Sequence, residues 1–135
     1  MTRLIRGCLA VLGLIGFGVE APARELVGKF GYLGEWDVSA TLSEERAGRS
    51  GTAALSGPLL MKHNAVCGPG ETPEKSGQIR LTLRGERYSA EMTLAGASCR
   101  FSGTLSPERH SFVACGGDQQ IPLRLWFREA GSRAP

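Results

Sequence analysis

An all-β fold is what this sequence predicts: an antiparallel up-and-down meander of seven to eight strands, closed or nearly closed into a small barrel. Three observations carry it. Apolar residues recur at every second position over successive short stretches, the period of a strand with one buried face. Clusters of Gly, Pro, Asn, Asp and Ser separate those stretches, as turns require. Beyond residue 23, no stretch holds a helical period for long.

The elements follow in order. Residues 1–23 read as a cleaved secretory leader. Arg3 and Arg6 form a positive start, Gly7 to Val19 carries no charge, and Ala21-Pro22-Ala23 supplies the small-x-small cleavage pattern. The apolar run is shorter than the ~20 residues that span a bilayer. Residues 24–135 then form one domain, long enough to bury its own core. Arg24 to Leu33 is polar and reads as an arm that precedes the first strand. Trp36, Val38, Ala40 and Leu42 alternate with polar residues in that strand. A loop over 43–50 leads to Ala53, Leu55, Leu59 and Met61. The loop over 64–76 holds Gly68-Pro69-Gly70 and Pro73, which no strand interior tolerates. Alternation resumes at Ile79, Leu81 and Leu83, then at Tyr88, Ala90, Met92 and Leu94. Cys99, Phe101, Gly103 and Leu105 follow, then a short run through Phe112 and Val113, and finally Ile121, Leu123, Leu125 and Phe127. Glu129 to Pro135 reads as a frayed tail.

Hairpin registers follow from loop lengths. A two-residue Gly85-Glu86 turn sets Leu83 against Tyr88, Leu81 against Ala90 and Ile79 against Met92, with Gly at the first position of a type II′ turn. Arg84 then faces Arg87, a small like-charge cost at an exposed hairpin end. A four-residue loop, Ala95 to Ser98, pairs Met92 with Phe101 and Ala90 with Gly103. A three-residue loop, Ser106-Pro107-Glu108, pairs Phe101 with Val113 and Cys99 with Cys115. A competing four-residue loop, Ser106 to Arg109, would instead turn Phe112 inward and Cys115 outward. A loop at Gly116-Gly117-Asp118 sets Val113 against Ile121. Sheet edges must be managed, and closing the first strand onto the last removes them. Pro122 cannot donate to a ladder, so closure is weakest beside it.

Charge and cysteine content narrow the function. The leader holds two of the 16 basic and one of the 13 acidic residues, so the remainder carries a formal charge of +2. That near balance gives no case for nucleic acid, which wants a basic cluster on one face. Three cysteines follow the leader: Cys67, Cys99 and Cys115. Export places them in an oxidising compartment, periplasmic or extracellular, where a pair bridges. The register makes Cys99 and Cys115 that pair and leaves Cys67 odd.

Catalytic constellations are scarce. The only histidines are His63 and His110, expected at opposite ends of the meander. No paired carboxylates, nucleophile elbow or phosphate-binding glycine loop is present. No cofactor is expected, nor is stable membrane association once the leader is removed. His63, Cys67, Cys99 and Cys115 gather at one end of the meander, which leaves open a metal-binding or redox role through a Cys₃His set.

Gly34-Glu35-Trp36 at the head of the first strand resembles the G-x-W signature of calycins, which include lipocalins, avidins and small bacterial metalloprotease inhibitors. The resemblance implies a small barrel with Trp36 closing one end beside a basic residue of the last strand, Arg124 or Arg128. It carries over no ligand-binding residue. The leading reading is an exported, non-catalytic barrel that binds a protein partner, inhibitor-like, or a small ligand. Binding would run through the arm Arg24 to Leu33 or the loop 64–76 rather than a deep internal site. With so few strands, side chains rather than a cavity should fill the interior.

Overall fold

A computed structural model describes residues 16, 18, 22–47, 51–64, 73–117 and 119–129. The expected cleavage site, Cys67 and the tail beyond Glu129 lie wholly or partly outside them. Every regular element among the described residues is a strand: β1 (Arg24–Phe30), β2 (Trp36–Ala47), β3 (Thr52–His63), β4 (Glu74–Arg84), β5 (Arg87–Leu94), β6 (Ala97–Thr104), β7 (Ser111–Val113) and β8 (Ile121–Phe127). They form one antiparallel sheet in the order β6-β5-β4-β3-β2-β1-β8-β7. The first strand pairs with the last, as expected, but the first strand is not the expected one.

Arg24 to Phe30 is no arm. It forms β1 and is hydrogen-bonded on both sides, with Leu26 opposite Ala40 of β2 and opposite Phe127 of β8. Leu26 is fully buried. Only Leu26, Gly28 and Phe30 face inward, and the glycine between the two large residues hides the alternation. Gly28 is required: a Cβ there would lie 2.2 Å from the Arg124 carbonyl oxygen. The expected loop 43–50 shrinks as well, because β2 continues to Ala47 with a register shift between Glu44 and Arg46. The loop expected over 64–76 gives up Glu74, Lys75 and Ser76, which pair with Lys62, Met61 and Leu60.

The β4–β5 hairpin has the expected register throughout. The β5–β6 hairpin is displaced by two residues. Its turn is Ala95-Gly96, with φ of 49° and 82°, the left-handed pair of a two-residue primed turn. Met92 therefore faces Cys99, Ala90 faces Phe101 and Tyr88 faces Gly103. A shift of two keeps every side chain on its face, so the apolar pattern is blind to it.

The barrel has one unsealed seam, and it lies between β6 and β7 rather than at Pro122. After Thr104 the chain runs back beside β8: the Ser106 amide donates to the Leu125 carbonyl and the Arg124 guanidinium to the Pro107 carbonyl. β7 is only three residues long and pairs with β8, Val113 opposite Ile121 as expected. The expected β6–β7 ladder is absent: Leu105 bonds to Glu86, and Ser106 and Pro107 bond to β8. Two contacts span the seam instead: the Cys99–Cys115 disulfide, with Cα atoms 4.9 Å apart, and a Tyr88–Ser111 hydrogen bond. Pro122 sits in β8 opposite Phe112 of β7, and its carbonyl accepts from the Gly31 amide.

Inside, Leu42, Leu55, Leu59, Met61, Ile79, Leu81 and Leu125 pack to near-zero exposure. Each such burial stabilises the fold by about 1.5–3 kcal/mol relative to exposure. The void among Phe30, Met61, Met92, Phe101 and Leu123 measures about 10 Å³, too small for a ligand. Among the described residues the interior is packed with side chains.

Candidate functional site

The connections 31–35 and 95–96, Asn64 and Pro73 at the ends of β3 and β4, and residues 114–117 and 119–120 all lie at one end of the barrel, with the disulfide beside them. Trp36 opens β2 at the inner rim of this end. Its ring meets His63 edge-to-face at 4.7 Å, and the Lys75 ammonium lies 4.7 Å above it. A basic residue does cover Trp36, then, but it comes from β4. Arg124 points to the outer wall, and Arg128 pairs with Glu25 at the far end. The register explains the exchange. Arg124 stands between Leu123 and Leu125, both inward, so it must face out.

The turn before Trp36 is the most heavily secured connection here. The Gly34 amide donates to the Gly31 carbonyl, closing a tight turn, and the Gly31 amide donates to Pro122 of β8. The Glu35 carboxylate accepts the Leu33 amide, while the Glu35 carbonyl accepts the Asn64 amide. The Asn64 side chain donates to the Gly34 carbonyl, and the Tyr32 hydroxyl donates to the Gln120 carbonyl. Gly31 sits at φ +109°, and a Cβ there would come 2.3 Å from the Glu35 carboxylate. Asn64, just past β3, and Gln120 with Pro122 at the start of β8 thus hold the turn from two sides, and two further bonds close it on itself.

What this scaffold presents is apolar. Leu33 is 93% exposed and Tyr32 59% exposed. Phe112, 57% exposed, stands opposite Pro122 one strand away. Between them a cleft of about 230 Å³ is lined by Lys29, Tyr32, His110, Pro122 and Arg124 among others. Lys29 is tied to Asp37, which also accepts from Asn64. Sequence reasoning read Gly34-Glu35-Trp36 but passed over Tyr32 and Leu33, assigning them to a free arm. The missed signal was two large side chains inside a Gly-bounded four-residue turn.

His63 and His110 do not lie at opposite ends. The 105–110 segment carries His110 back along β8 to the cleft beside the 31–35 turn. The two rings occupy different walls, His63 at the inner rim on Trp36 and His110 outside. The expected disulfide forms, so the Cys99 and Cys115 sulfurs of the Cys₃His set are bonded to each other. Among the described residues, no group of three His, Cys, Asp or Glu side chains is placed to hold a metal. Compared with protein-family models, curated proteins and solved structures, the chain matches none.

Proposed function

We propose that this is an exported, non-catalytic binding barrel that engages a protein partner through the disulfide end. The observation that carries the reading is the exposure of Leu33 and Tyr32 on a turn fixed by its own hydrogen bonds and by bonds to Asn64 on one side and Gln120 and Pro122 on the other. Preformed anchors lose little entropy on binding, and tyrosine is enriched among the residues that carry interface energy. A filled interior directs recognition to the outside of the barrel. The resemblance of Gly34-Glu35-Trp36 to calycins supports a rigid barrel end. An inhibitor-like role would run through the turn 31–35, because Arg24–Phe30 is paired on both edges.

A photo-crosslinking residue placed at Leu33 in cells tests it. A discrete protein adduct from position 33, absent from position 82 on the outer β4 face and lost on Tyr32→Ser, is the expected result. Equal adducts from both positions, or none from either, overturn the proposal.

A further inference from the structure

The outer face of β4, β5 and β6 carries no exposed apolar side chain and is ordered in cross-strand rows. Arg84 lies opposite Arg87, and Thr82 opposite Ser89 and then Ser102. Two shallow, solvent-open concavities of about 630 and 560 Å³ lie on this face and share Thr82, Ser89 and Ser102, so they form one shallow groove. Its two halves differ in charge balance. Arg80 is paired with Glu45, and Arg100 with Glu91. Among the described residues no carboxylate pairs with Arg84 or Arg87. Like charges directly opposite on neighbouring strands repel. The groove thus holds, at one end, two guanidiniums without an ion-pair partner among the described residues and, beside them, a parallel cross-strand row of hydroxyls.

We infer that this groove binds an acidic oligosaccharide, with a carboxylate held by Arg84 and Arg87 and the sugar hydroxyls on Thr82, Ser89 and Ser102. Guanidiniums bind carboxylates through paired, charge-assisted hydrogen bonds. Side chains two apart on a strand are about 7 Å apart, and those on adjacent strands about 5 Å apart, so the hydroxyl row offers several donors and acceptors to one sugar ring. Other ligand classes fit worse. A nucleic acid strand wants aromatic platforms, and this face has no exposed ring. A protein partner wants a buried aromatic or aliphatic anchor, also missing here. The site lies away from the turn 31–35 and does not depend on it.

The test is an NMR titration of the whole exported protein with tetragalacturonate, with maltotetraose and inorganic phosphate in parallel. Saturable shifts confined to Thr82, Ser89, Ser102 and their neighbours are expected with tetragalacturonate. Arg84→Gln with Arg87→Gln should weaken that binding by at least about tenfold, the scale of one lost charge-assisted hydrogen bond. Should the double variant fail to fold, Ser102→Val replaces it, with weakened binding again expected. No shift with tetragalacturonate overturns the inference. So does phosphate binding as tightly, which would mean that charge alone is read, or maltotetraose binding as tightly, which would mean that the arginines contribute nothing.

Discussion

The hydroxyls of Tyr88 on β5 and Ser111 on β7 lie 2.7 Å apart across the seam where the barrel has no backbone ladder. Both side chains are buried. Burial pushes the Tyr88 phenol above its ordinary value of 10.0, and the Ser111 hydrogen bond only partly offsets this. The neutral phenol is therefore favoured in the folded state, and the unfolded chain gives up this proton first. That stabilisation is complete below pH 10.0 and fades as pH rises through the folded value. Equilibrium unfolding followed from pH 8 upward should show a loss of stability that Tyr88→Phe flattens. Tyr88→Phe should itself cost about 1–3 kcal/mol near neutrality by leaving the buried Ser111 hydroxyl without its partner.

Gly103 makes that hydrogen bond possible. A Cβ at 103 would stand 1.8 Å from the Ser111 Oγ and 3.1 Å from the Tyr88 hydroxyl. Gly103→Ala should destabilise the fold by about 1–3 kcal/mol through overpacking. Combining it with Ser111→Ala should recover part of the loss, since the closest clash is with the hydroxyl oxygen. Denaturant midpoints of the four proteins in the cycle measure the coupling.

The disulfide is the other tie across the seam. With Cys99 and Cys115 both replaced by Ser, the loss should be about 3 kcal/mol on the chain-entropy account, because their separation of 16 residues closes a short loop. Peptide mapping under non-reducing conditions should recover residues 99 and 115 in one linked species. Recovery of Cys67 joined to either would contradict this pairing.

β1 begins at Arg24, directly after the expected cleavage point at Ala23. If the expected leader is removed, intact mass of the protein recovered outside the cytoplasm should give Arg24 as its first residue. A chain starting at Arg24 should fold as well as the longer one. A chain starting at Gly34 should not, because it removes the strand that joins β2 to β8 and exposes both edges. Circular dichroism and thermal melts of the two chains decide it.

Much of the architecture was legible wherever large apolar residues alternate without interruption. From β4 into β5, Ile79, Leu81, Leu83, Tyr88, Ala90 and Met92 specify both faces and, with Gly85 in the turn, the register. β1 was not legible because Gly28 breaks its inward row, and that glycine is there to admit the Arg124 backbone. The candidate site was legible only in part. Gly34 and Trp36 stand out as a motif. Lys75 over Trp36 does not, because the pairing of Met61 with Lys75 depends on where β4 begins.

By itself the sequence determined which residues are apolar and how they alternate. With those came the all-β class, the meander order and the inward face that brings Cys99 and Cys115 together. Tertiary structure alone decided the quantities to which alternation is blind. A register change of two preserves every face, so only the left-handed turn at Ala95-Gly96 set the β5–β6 pairing. Where a segment has a choice of hydrogen-bond partners, sequence cannot rank them. Ser106 and Pro107 bonded to β8 rather than extending a ladder to β6, and His110 came to lie at the disulfide end. The reason is one of range: side-chain pattern is local, whereas satisfying every buried backbone group is a constraint on the whole sheet at once.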